Sequence, residues 1–342
     1  MTNYIIRRLL FLPVILFGVT ILIFGILQLL DPTERAALYV KDIPKNPNAV
    51  QELVKKYGLD RPIYEQYFDW VGKAIHGDLG WSRTAQRPVL EAIIYYFPAT
   101  VELSLWAILP IVLGGVWLGV RAAVNHNKPI DHSARLFAMV GSSFPTFVFA
   151  LLMLMIFYAN LQWFPPGRLD DWASGVVASD QWHQYTGMYT LDGILNARLD
   201  VTLDAIKHLF LPVVTLSYIY WALFLRVTRS SMLEVLNQDY IRTARAKGLS
   251  EGNVVNKHAL RNALIPVATI GGLTFVGLLN GVIITETVYN FRGMGWYAAT
   301  AALRLDVISV LGITLFTAIL YVLANLVVDV LYGFLDPRVR IS

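Results

Sequence analysis

Residues 240–266 read YIRTARAKGLSEGNVVNKHALRNALIP, a basic and alanine-rich segment interrupted by Gly248. Apolar stretches suited to a lipid bilayer flank this segment on both sides. Asp239 is placed to cap a first helix, Gly248 to end it in a left-handed conformation, and Ser250 to cap a second helix. The pattern therefore predicts a short polar helix, a bend, and a helix that leads into the next apolar stretch.

The composition around this segment is that of an integral membrane protein. Of 342 residues, 56% are hydrophobic and 15% are charged, whereas about a quarter are charged in soluble domains. A membrane span needs about 20 apolar residues, and six stretches qualify, the fourth being the shortest. They are Leu9–Leu30, Phe97–Val120, Leu136–Leu161, Leu209–Leu225, Leu264–Val288 and Val307–Leu335. The sequence predicts an all-α integral membrane protein with six transmembrane helices, the first of them an uncleaved span.

Basic residues are distributed unevenly between the two sides that six spans define. The side with both termini and the loops 121–135 and 226–263 carries 14 basic and five acidic residues, a net charge of +9. The opposite loops carry a net charge of −2. Because lysine and arginine in short loops resist translocation, we expect a multi-pass protein of the cell membrane with N- and C-termini cytoplasmic. Topology explains the basic balance, so no nucleic-acid partner is expected.

Three parts of the chain follow from this topology. They are the cytoplasmic N-terminus and first span at 1–30, an extracytoplasmic loop at 31–96, and the core bundle at 97–342. The core includes an extracytoplasmic loop at 162–207 and a cytoplasmic loop at 233–262. Within the first loop, AVQELVKKYG and IYEQYFDWVGKAIHGDLGW have helical spacing. We expect a pair of short amphipathic helices there, either lying on the membrane surface or docking another protein.

Catalytic and metal-binding motifs are missing from the sequence. It contains no G-x-x-x-x-G-K-[ST] phosphate loop, no H-E-x-x-H, no G-x-S-x-G and no cysteine. The six histidines show no metal-ligand spacing supported by nearby carboxylates. The chain is therefore predicted not to be an enzyme and to have no catalytic residue, metal or cofactor of its own.

Acidic residues within or at the ends of the predicted spans allow a different class of function. An unpaired charge at the bilayer centre costs about 2.5–3.5 kcal/mol, so Glu102 and Glu286 are either members of structural pairs or groups on a transport path. Together with Asp329 they would be the titrating groups of a stand-alone ion-coupled carrier. Such a carrier would not need a cytoplasmic helix shaped for a partner. An intramembrane hydrolase is a weaker alternative, because no nucleophile and base are paired.

Several segments resemble one family of transport proteins. RTARAKGLSEGNVVNKHALRNALIP looks like the EAA-type coupling loop of ABC importer permeases, in the form found in oligopeptide, dipeptide and nickel importers. Further similar segments are IIRRLLFLPVILFGVTILIF, KKYGLDRPIYEQYFDWVGKAIHGDLGWS, RPVLEAIIYYFPATVELSL, ETVYNFRGMGWYAATAALRLD and YGFLDPRVR. They are typical of the first, B-type permease of such systems. Arg242-Thr243-Ala244 stands where the general pattern has Glu-Ala-Ala, and the downstream proline comes only at Pro266.

The resemblance implies a type I ABC importer permease bundle with large extracytoplasmic loop insertions. Its implied partners are a second homologous permease, two cytoplasmic ATPase subunits that bind ATP and Mg, and an extracytoplasmic substrate-binding protein, all working in the lipid bilayer. Peptides are the expected substrate, with oligosaccharides or nickel as alternatives within the same transporter type.

The resemblance also implies which residues couple this chain to its ATPases. They are Tyr240, Arg242, Thr243, Ala244, Arg245, Lys247, Gly248 and Leu249. Thr243 and Ala244 are expected on the outer face of the helix, small enough to sit in a groove of a soluble partner. The alternative is a solvated basic loop that binds anionic lipid. Polar or aromatic positions within spans are the predicted substrate path, namely Ser142, Ser143, Phe144 and Asn280.

Overall fold

The chain is a bundle of long helices with shorter helices and a two-stranded hairpin at one end. The computed structural model describes residues 2–38 and 47–335, and it describes side chains for 10–36 and 50–328. Two features of the sequence lie outside these ranges, namely the side chain of Asp329 and residues 336–342, which end the YGFLDPRVR match.

The first elements are α1 Thr2–Leu27, α2 Pro32–Leu38, α3 Pro47–Lys56, α4 Ile63–Ile75 and the antiparallel strands β1 Trp81–Ser82 and β2 Arg87–Pro88. The central elements are α5 Val89–Val124, α6 Pro129–Ser143, α7 Thr146–Met153 with a π-helical extension Leu154–Asn160, α8 Asp171–Val177, α9 Tyr189–Leu195 and α10 Leu199–Leu236. The last are α11 Asp239–Ala246, α12 Glu251–Asn253 with a π-helical extension Val254–Ala259, α13 Leu260–Leu279, α14 Ile283–Val288, α15 Met294–Leu303 and α16 Val307–Leu335.

Five helical segments in the described parts are long and apolar enough to cross a membrane, and a bent pair makes a sixth crossing. The prediction of an all-α membrane bundle is confirmed, and α16 has the predicted bounds. α10 is much longer than the stretch 209–225 that was predicted. Its 38 residues extend about 57 Å at about 1.5 Å per residue, so it continues well beyond a hydrocarbon layer of about 30 Å.

The third predicted span, Leu136–Leu161, is wrong as a single helix. α6 and α7 meet at an angle of 100°. Phe144 has extended backbone angles, φ −79° and ψ 126°, because the ring of Pro145 disfavours helical geometry at the preceding residue. α6 is fastened to α10 by Asp131, whose buried carboxylate accepts hydrogen bonds of 2.7 and 2.8 Å from Arg229.

The fifth predicted span is also broken. The stretch 264–288 was predicted to be continuous, but α13 ends at Leu279 and the chain turns before α14 begins at Ile283. Gly281 at the turn has φ +95°, and a Cβ there would lie 2.7 Å from the backbone nitrogen of Gly295. Only glycine satisfies both the dihedral angle and the close backbone approach. α14 and α15, called the α14–α15 unit below, pack against α7, α5 and α16.

The long helices α5 and α10 pack closely along their length. The Gly115-x-x-x-Gly119 spacing on α5 lies at this contact, where a Cβ at either position would overlap Phe224 or Thr228 of α10. Small residues one turn apart allow such close backbone approach in lipid.

The two ends of the bundle are formed by different elements. Ala123 near the end of α5 packs on α11 and the Val254–Ala259 extension, which defines the coupling end. At the opposite end, called the loop end below, α1 packs on α16 through Ile23, Leu27 and Leu311. The loop at 31–96 contains α3 and α4, which confirms that both segments with helical spacing are helices.

Candidate functional site

The coupling segment, residues 239–262, is fixed to the bundle by a small apolar core. Ile241 is fully buried and Ala244 is 7% exposed. Both pack against Met232 of α10 and Val254 of the π-helical extension. Because Ile241 and Ala244 are three residues apart, they share one face of α11 and hold it against the chain.

Other predicted coupling residues form the exposed face of α11 and of the turn after it. They are Tyr240, Arg242, Thr243, Arg245, Lys247, Gly248 and Leu249. Ala244 is the exception, since the structure places it inside. The expectation that Ala244 lies on the outer face is therefore wrong, and its smallness is required by the chain's own packing.

Gly248 ends the coupling helix as the sequence predicts, with φ +78°. A Cβ at this position would have no atom within 4 Å, so the need for glycine comes from the backbone angle alone. The predicted caps differ in detail. Asp239 is the first helical residue and Gln238 is the N-cap, while Ser250 is an N-cap without a side-chain capping hydrogen bond.

Two exposed side-chain pairs link parts of the coupling segment. Arg245 donates to both carboxylate oxygens of Glu251, at 3.1 and 2.7 Å, and so joins α11 to α12 across the Gly248 turn. Asn262 of α13 donates to the Tyr240 hydroxyl at 2.8 Å. Sequence reasoning did not predict these pairs, although the opposite charges of Arg245 and Glu251 flank the glycine in the printed sequence.

The four predicted path residues lie at the two helix breaks. Ser142 and Ser143 end α6 and donate to the Met139 carbonyl at 3.0 and 2.8 Å, and Phe144 is exposed at the bend. Asn280 is the C-cap of α13, where its Nδ2 donates to the Val276 carbonyl while its Oδ1 is buried with no partner among the described residues. Irregular backbone at membrane depth occurs where it faces protein or a water-filled cavity, which makes both breaks candidates for the path.

Glu286 holds the α14–α15 unit together. Its carboxylate is fully buried and accepts hydrogen bonds from the Thr100 hydroxyl at 2.8 Å and the Trp296 N–H at 2.9 Å. The Thr100 oxygen in turn accepts the Met294 N–H at 2.8 Å. A Cβ at Gly293 would lie 2.7 Å from Glu286 Oε2, so the carboxylate needs a glycine beside it. In this conformation Glu286 is therefore a structural group.

Glu102 likewise has a complete set of partners. Arg168 from the loop at 162–207 donates to it at 2.7 Å, and Thr190 donates through both its N–H and its hydroxyl at 2.7 and 2.8 Å. The Arg168 guanidinium also lies 4.0 Å from the centroid of the Tyr189 ring. The sequence left structural and path roles open for both glutamates. The structure gives each of them several hydrogen-bond donors, but among the described residues only Glu102 has an ion-pair partner.

His208 lies beside two carboxylates, contrary to the prediction that no histidine has supporting carboxylates nearby. His208 Nε2 lies 3.2 Å from Asp170 and 3.8 Å from Asp204, at the loop end of α10. The D-x-x-x-H spacing of Asp204 and His208 was the missed signal, because four residues bring two side chains onto one helix face. The three could ligate a metal ion. However, Lys207 Nζ already lies 3.0 Å from Asp170 and supplies a positive charge there.

Asp306 fastens the hairpin to the start of α16. It is buried and accepts hydrogen bonds from the Ser82 hydroxyl at 3.1 Å, the Thr84 N–H at 2.8 Å and the Ser309 hydroxyl at 2.7 Å. Burial raises the pKa of this carboxyl, but the hydrogen bonds from Ser309 and Thr84 outweigh that effect and hold its pKa below the ordinary value.

Comparison with known proteins identifies the family. Residues 115–341 match the family described as Binding-protein-dependent transport system inner membrane component, and residues 1–104 match the N-terminal part of such membrane components. The chain belongs to this family of transport permeases. The prediction of an ABC importer permease is confirmed, and the permease is assigned to transport proteins rather than to enzymes.

Relatives resemble the permease over nearly its whole length. The probable D,D-dipeptide transport system permease protein DdpB of Escherichia coli K12 is 41% identical over 329 residues, which are 96% of this chain and 94% of that protein. The di/tripeptide transport system permease protein DppB of Pseudomonas aeruginosa UCBPP-PA14 is 41% identical over 343 residues, or 99% of each chain. The glutathione transport system permease protein GsiC of Escherichia coli O6:H1 is 36% identical over 341 residues, again 99% of each.

A solved structure has the same fold. An inward-facing form of the MetNI methionine ABC transporter is similar with a TM-score of 0.52 and 14% identity, over 71% of this permease and 96% of the matched chain. The permease therefore has the type I importer fold, as predicted.

Proposed function

We propose that this permease imports peptides as the first of two permeases in an ATP-driven transporter. Its partners are a second permease, two cytoplasmic ATPases that hold ATP and Mg, and an extracytoplasmic binding protein that delivers the substrate. Support for peptides comes from relatives at 36–41% identity that are named for dipeptide, di/tripeptide and glutathione transport. Oligosaccharides and nickel gain no support from these names.

The exposed face of the coupling segment is the observation that carries this proposal. It offers basic side chains at Arg242, Arg245 and Lys247 on a helix whose opposite face is packed on the bundle. A solvated loop that binds lipid needs neither the buried Ile241 nor the internal brace to Glu251. A rigid helix with one free face is suited to seating in a groove of an ATPase.

A displacement of α11 is passed to the bundle through a short series of contacts. α11 contacts the Val254–Ala259 extension, which continues without a break into α13. α13 ends at Leu279 and is followed by Asn280, where one of the two helix breaks lies. When ATP binding draws the ATPases together, the coupling segment moves with them, and the α13 break changes the opening of the path. Ser142, Ser143 and Phe144 at the other break face the same cavity in this proposal.

Uptake by reconstituted liposomes tests the substrate and the class together. Liposomes with this permease, the second permease, the ATPases and the binding protein should take up labelled dipeptides or tripeptides when ATP is supplied. Liposomes with this permease alone should take up nothing under an ion gradient. Uptake of nickel or an oligosaccharide instead of peptide would contradict the substrate, and gradient-driven uptake by the single chain would establish the carrier.

The proposed orientation places both termini and the coupling segment in the cytoplasm of a cell with the permease in its inner membrane. Since the chain has no native cysteine, single cysteines report the two sides cleanly. Ser179→Cys should react with an impermeant thiol reagent added to intact cells, whereas Asn127→Cys and Ser250→Cys should react only after lysis. All three positions are exposed, so a reversed pattern would mean a reversed topology.

A further inference from the structure

Arg35 is a buried arginine with an incomplete set of partners. It is 7% exposed. Among the described residues its hydrogen bonds are made by Nη1, to Gln28 Oε1 at 2.6 Å and to Gln66 Oε1 at 2.8 Å, while Nε is buried without a partner. No ion pair joins Arg35 to a carboxylate among the side chains at 10–36 and 50–328. A buried cation that is hydrogen-bonded only to neutral amides is costly, so this site favours an anion.

A cavity of about 110 Å³ adjoins the Arg35 side chain. Its volume suits a small group such as a phosphate, whereas a lipid molecule or a peptide segment would not fit inside. Lys73 adds a second positive charge to the wall. Asp69 and Asp78 also line the cavity, but neither forms an ion pair with Arg35. Asp69 pairs with Arg61 at 3.4 Å, and Asp78 accepts the Gly80 N–H at 3.1 Å.

The cavity lies at the level of lipid headgroups. It is lined by Leu27 and Gln28 at the end of α1, directly after the apolar stretch Leu10–Leu27, of which only 17% is buried in protein. Those 18 residues extend about 27 Å, close to the hydrocarbon thickness of about 30 Å. The residues that follow are therefore at the interface.

Helix α4, which forms the other wall, has the surface of an interfacial helix. Its exposed side chains include Tyr64 at 64%, Phe68 at 66% and Ile75 at 78% exposure, which share one helix face, and no described part of the chain covers them. An amphipathic helix of this kind lies on the membrane with its apolar side in the acyl-chain boundary. We therefore expect the Arg35 cavity, which α4 lines, to lie beside phospholipid headgroups.

We propose that Arg35, with Lys73, binds a phosphate oxyanion in this cavity, and that its source is the headgroup of an anionic phospholipid in the leaflet at the loop end. Arg35 presents a fixed guanidinium, which matches phosphate geometry. The bound lipid ties α1, α2 and α4 together, because Gln28, Arg35 and Gln66 come from or adjoin these three helices.

Thermal unfolding of the assembled transporter in phosphatidylcholine–detergent micelles tests this site. Phosphatidylglycerol should raise the unfolding temperature of the wild type more than added phosphatidylcholine does, because a ligand that binds only the folded state stabilises it. Arg35→Gln should weaken the apparent affinity for phosphatidylglycerol by about tenfold or more, the worth of a charge-assisted hydrogen bond. Arg198→Gln is the matched control, since Arg198 is an exposed arginine that pairs with Asp200 on the surface.

A second variant and a measurement with inorganic phosphate distinguish the remaining outcomes. If Arg35→Gln does not assemble, Lys73→Gln serves instead, because this exposed side chain can be changed without disturbing the core, and it should weaken the lipid response by about threefold. An equal shift with inorganic phosphate alone, lost in the same variants, would keep the oxyanion site and assign it to a free ion. Equal lipid responses in the wild type, Arg35→Gln and Lys73→Gln would overturn the proposal.

Discussion

The coupling segment and the loop end of this permease differ in whether they bury carboxylates. In the coupling segment the ion pairs are at the surface: the side chains of Arg245 and Glu251 are 43% and 55% exposed. At the loop end the carboxylates of Glu102, Glu286 and Asp306 are buried, and each accepts several hydrogen bonds. An exposed pair contributes at most about 1 kcal/mol, whereas a buried acid that loses its partners costs several times more.

The exposed pairs form a surface that can change partners, whereas the buried acids form a frame that cannot. In the complex proposed above, the exposed pairs of the coupling segment are exchanged for contacts with an ATPase at small cost. The buried acids hold the loop at 162–207, the α14–α15 unit and the hairpin against the spans. The comparison predicts that substitutions at the loop end destabilise the fold, while those on the coupling face leave the fold intact and change coupling.

The largest effect is expected for Glu286→Ala. The change leaves the Thr100 hydroxyl and the Trp296 N–H buried without their acceptor, which costs about 3 kcal/mol or more of folding free energy. The amount of folded chain in purified membranes and its unfolding temperature should both fall. Thr287→Ala is the control, because Thr287 is the exposed neighbour of Glu286 and its substitution should change neither quantity.

Ala244→Glu should have the next largest effect, through a cause that sequence reasoning did not anticipate. The carboxylate would be forced into the apolar core around Ile241 and Met232, so α11 should detach from the bundle at a cost of about 2–3 kcal/mol. Co-purification of the ATPases should be lost while the spans still insert. Thr243→Glu places the same charge on the adjacent exposed position. Binding of the ATPases should be retained or weakened, but α11 should stay as protected from proteolysis as in the wild type.

Glu102→Gln should cost somewhat less, about 2 kcal/mol, because the amide can still accept from Thr190 while Arg168 loses its counter-charge. A double-mutant cycle with Arg168→Gln should give a coupling free energy of about 1–3 kcal/mol in thermal or denaturant unfolding. A coupling free energy near zero would mean that this buried pair behaves like a surface pair. The contrast between the coupling segment and the loop end would then be weaker.

Gly248→Ala should have the smallest effect on stability, about 1 kcal/mol, all of it from the positive φ angle. Since a Cβ there meets no neighbouring atom, Gly248→Asn should cost less than Gly248→Ala, and Gly248→Val should cost more. Transport measured per ATP hydrolysed should decrease from Gly248→Asn through Gly248→Ala to Gly248→Val. If alanine and valine were equally tolerated, the turn would not depend on the left-handed angle.

Some of these features were visible in the sequence because they rest on local physics. The six apolar stretches follow from span length, and the angle at Gly248 follows from a glycine placed between two helical patterns. The inward position of Ala244 had a local signal as well, since Ile241 is a large apolar residue on an otherwise polar helix and Ala244 is three positions further on.

Other features depend on contacts between distant residues. Glu102 and Arg168 are 66 positions apart, and nothing near either of them in the chain indicates the other. The breaks at Pro145 and Gly281 were hidden because apolar residues on both sides make each stretch read as continuous. Proline and glycine are also common in transmembrane helices, so their presence alone does not locate a break.

The length of α10 has a mechanical consequence. Met232 near one end packs on the coupling segment, and Asp204 near the other accepts a hydrogen bond of 2.8 Å from the Asp170 N–H in the loop at 162–207. A rod of about 57 Å that tilts by about 10° around its midpoint moves each end by about 5 Å, in opposite directions. If α10 tilts as one rigid body, a displacement at its coupling-segment end is accompanied by an opposite displacement at its loop end.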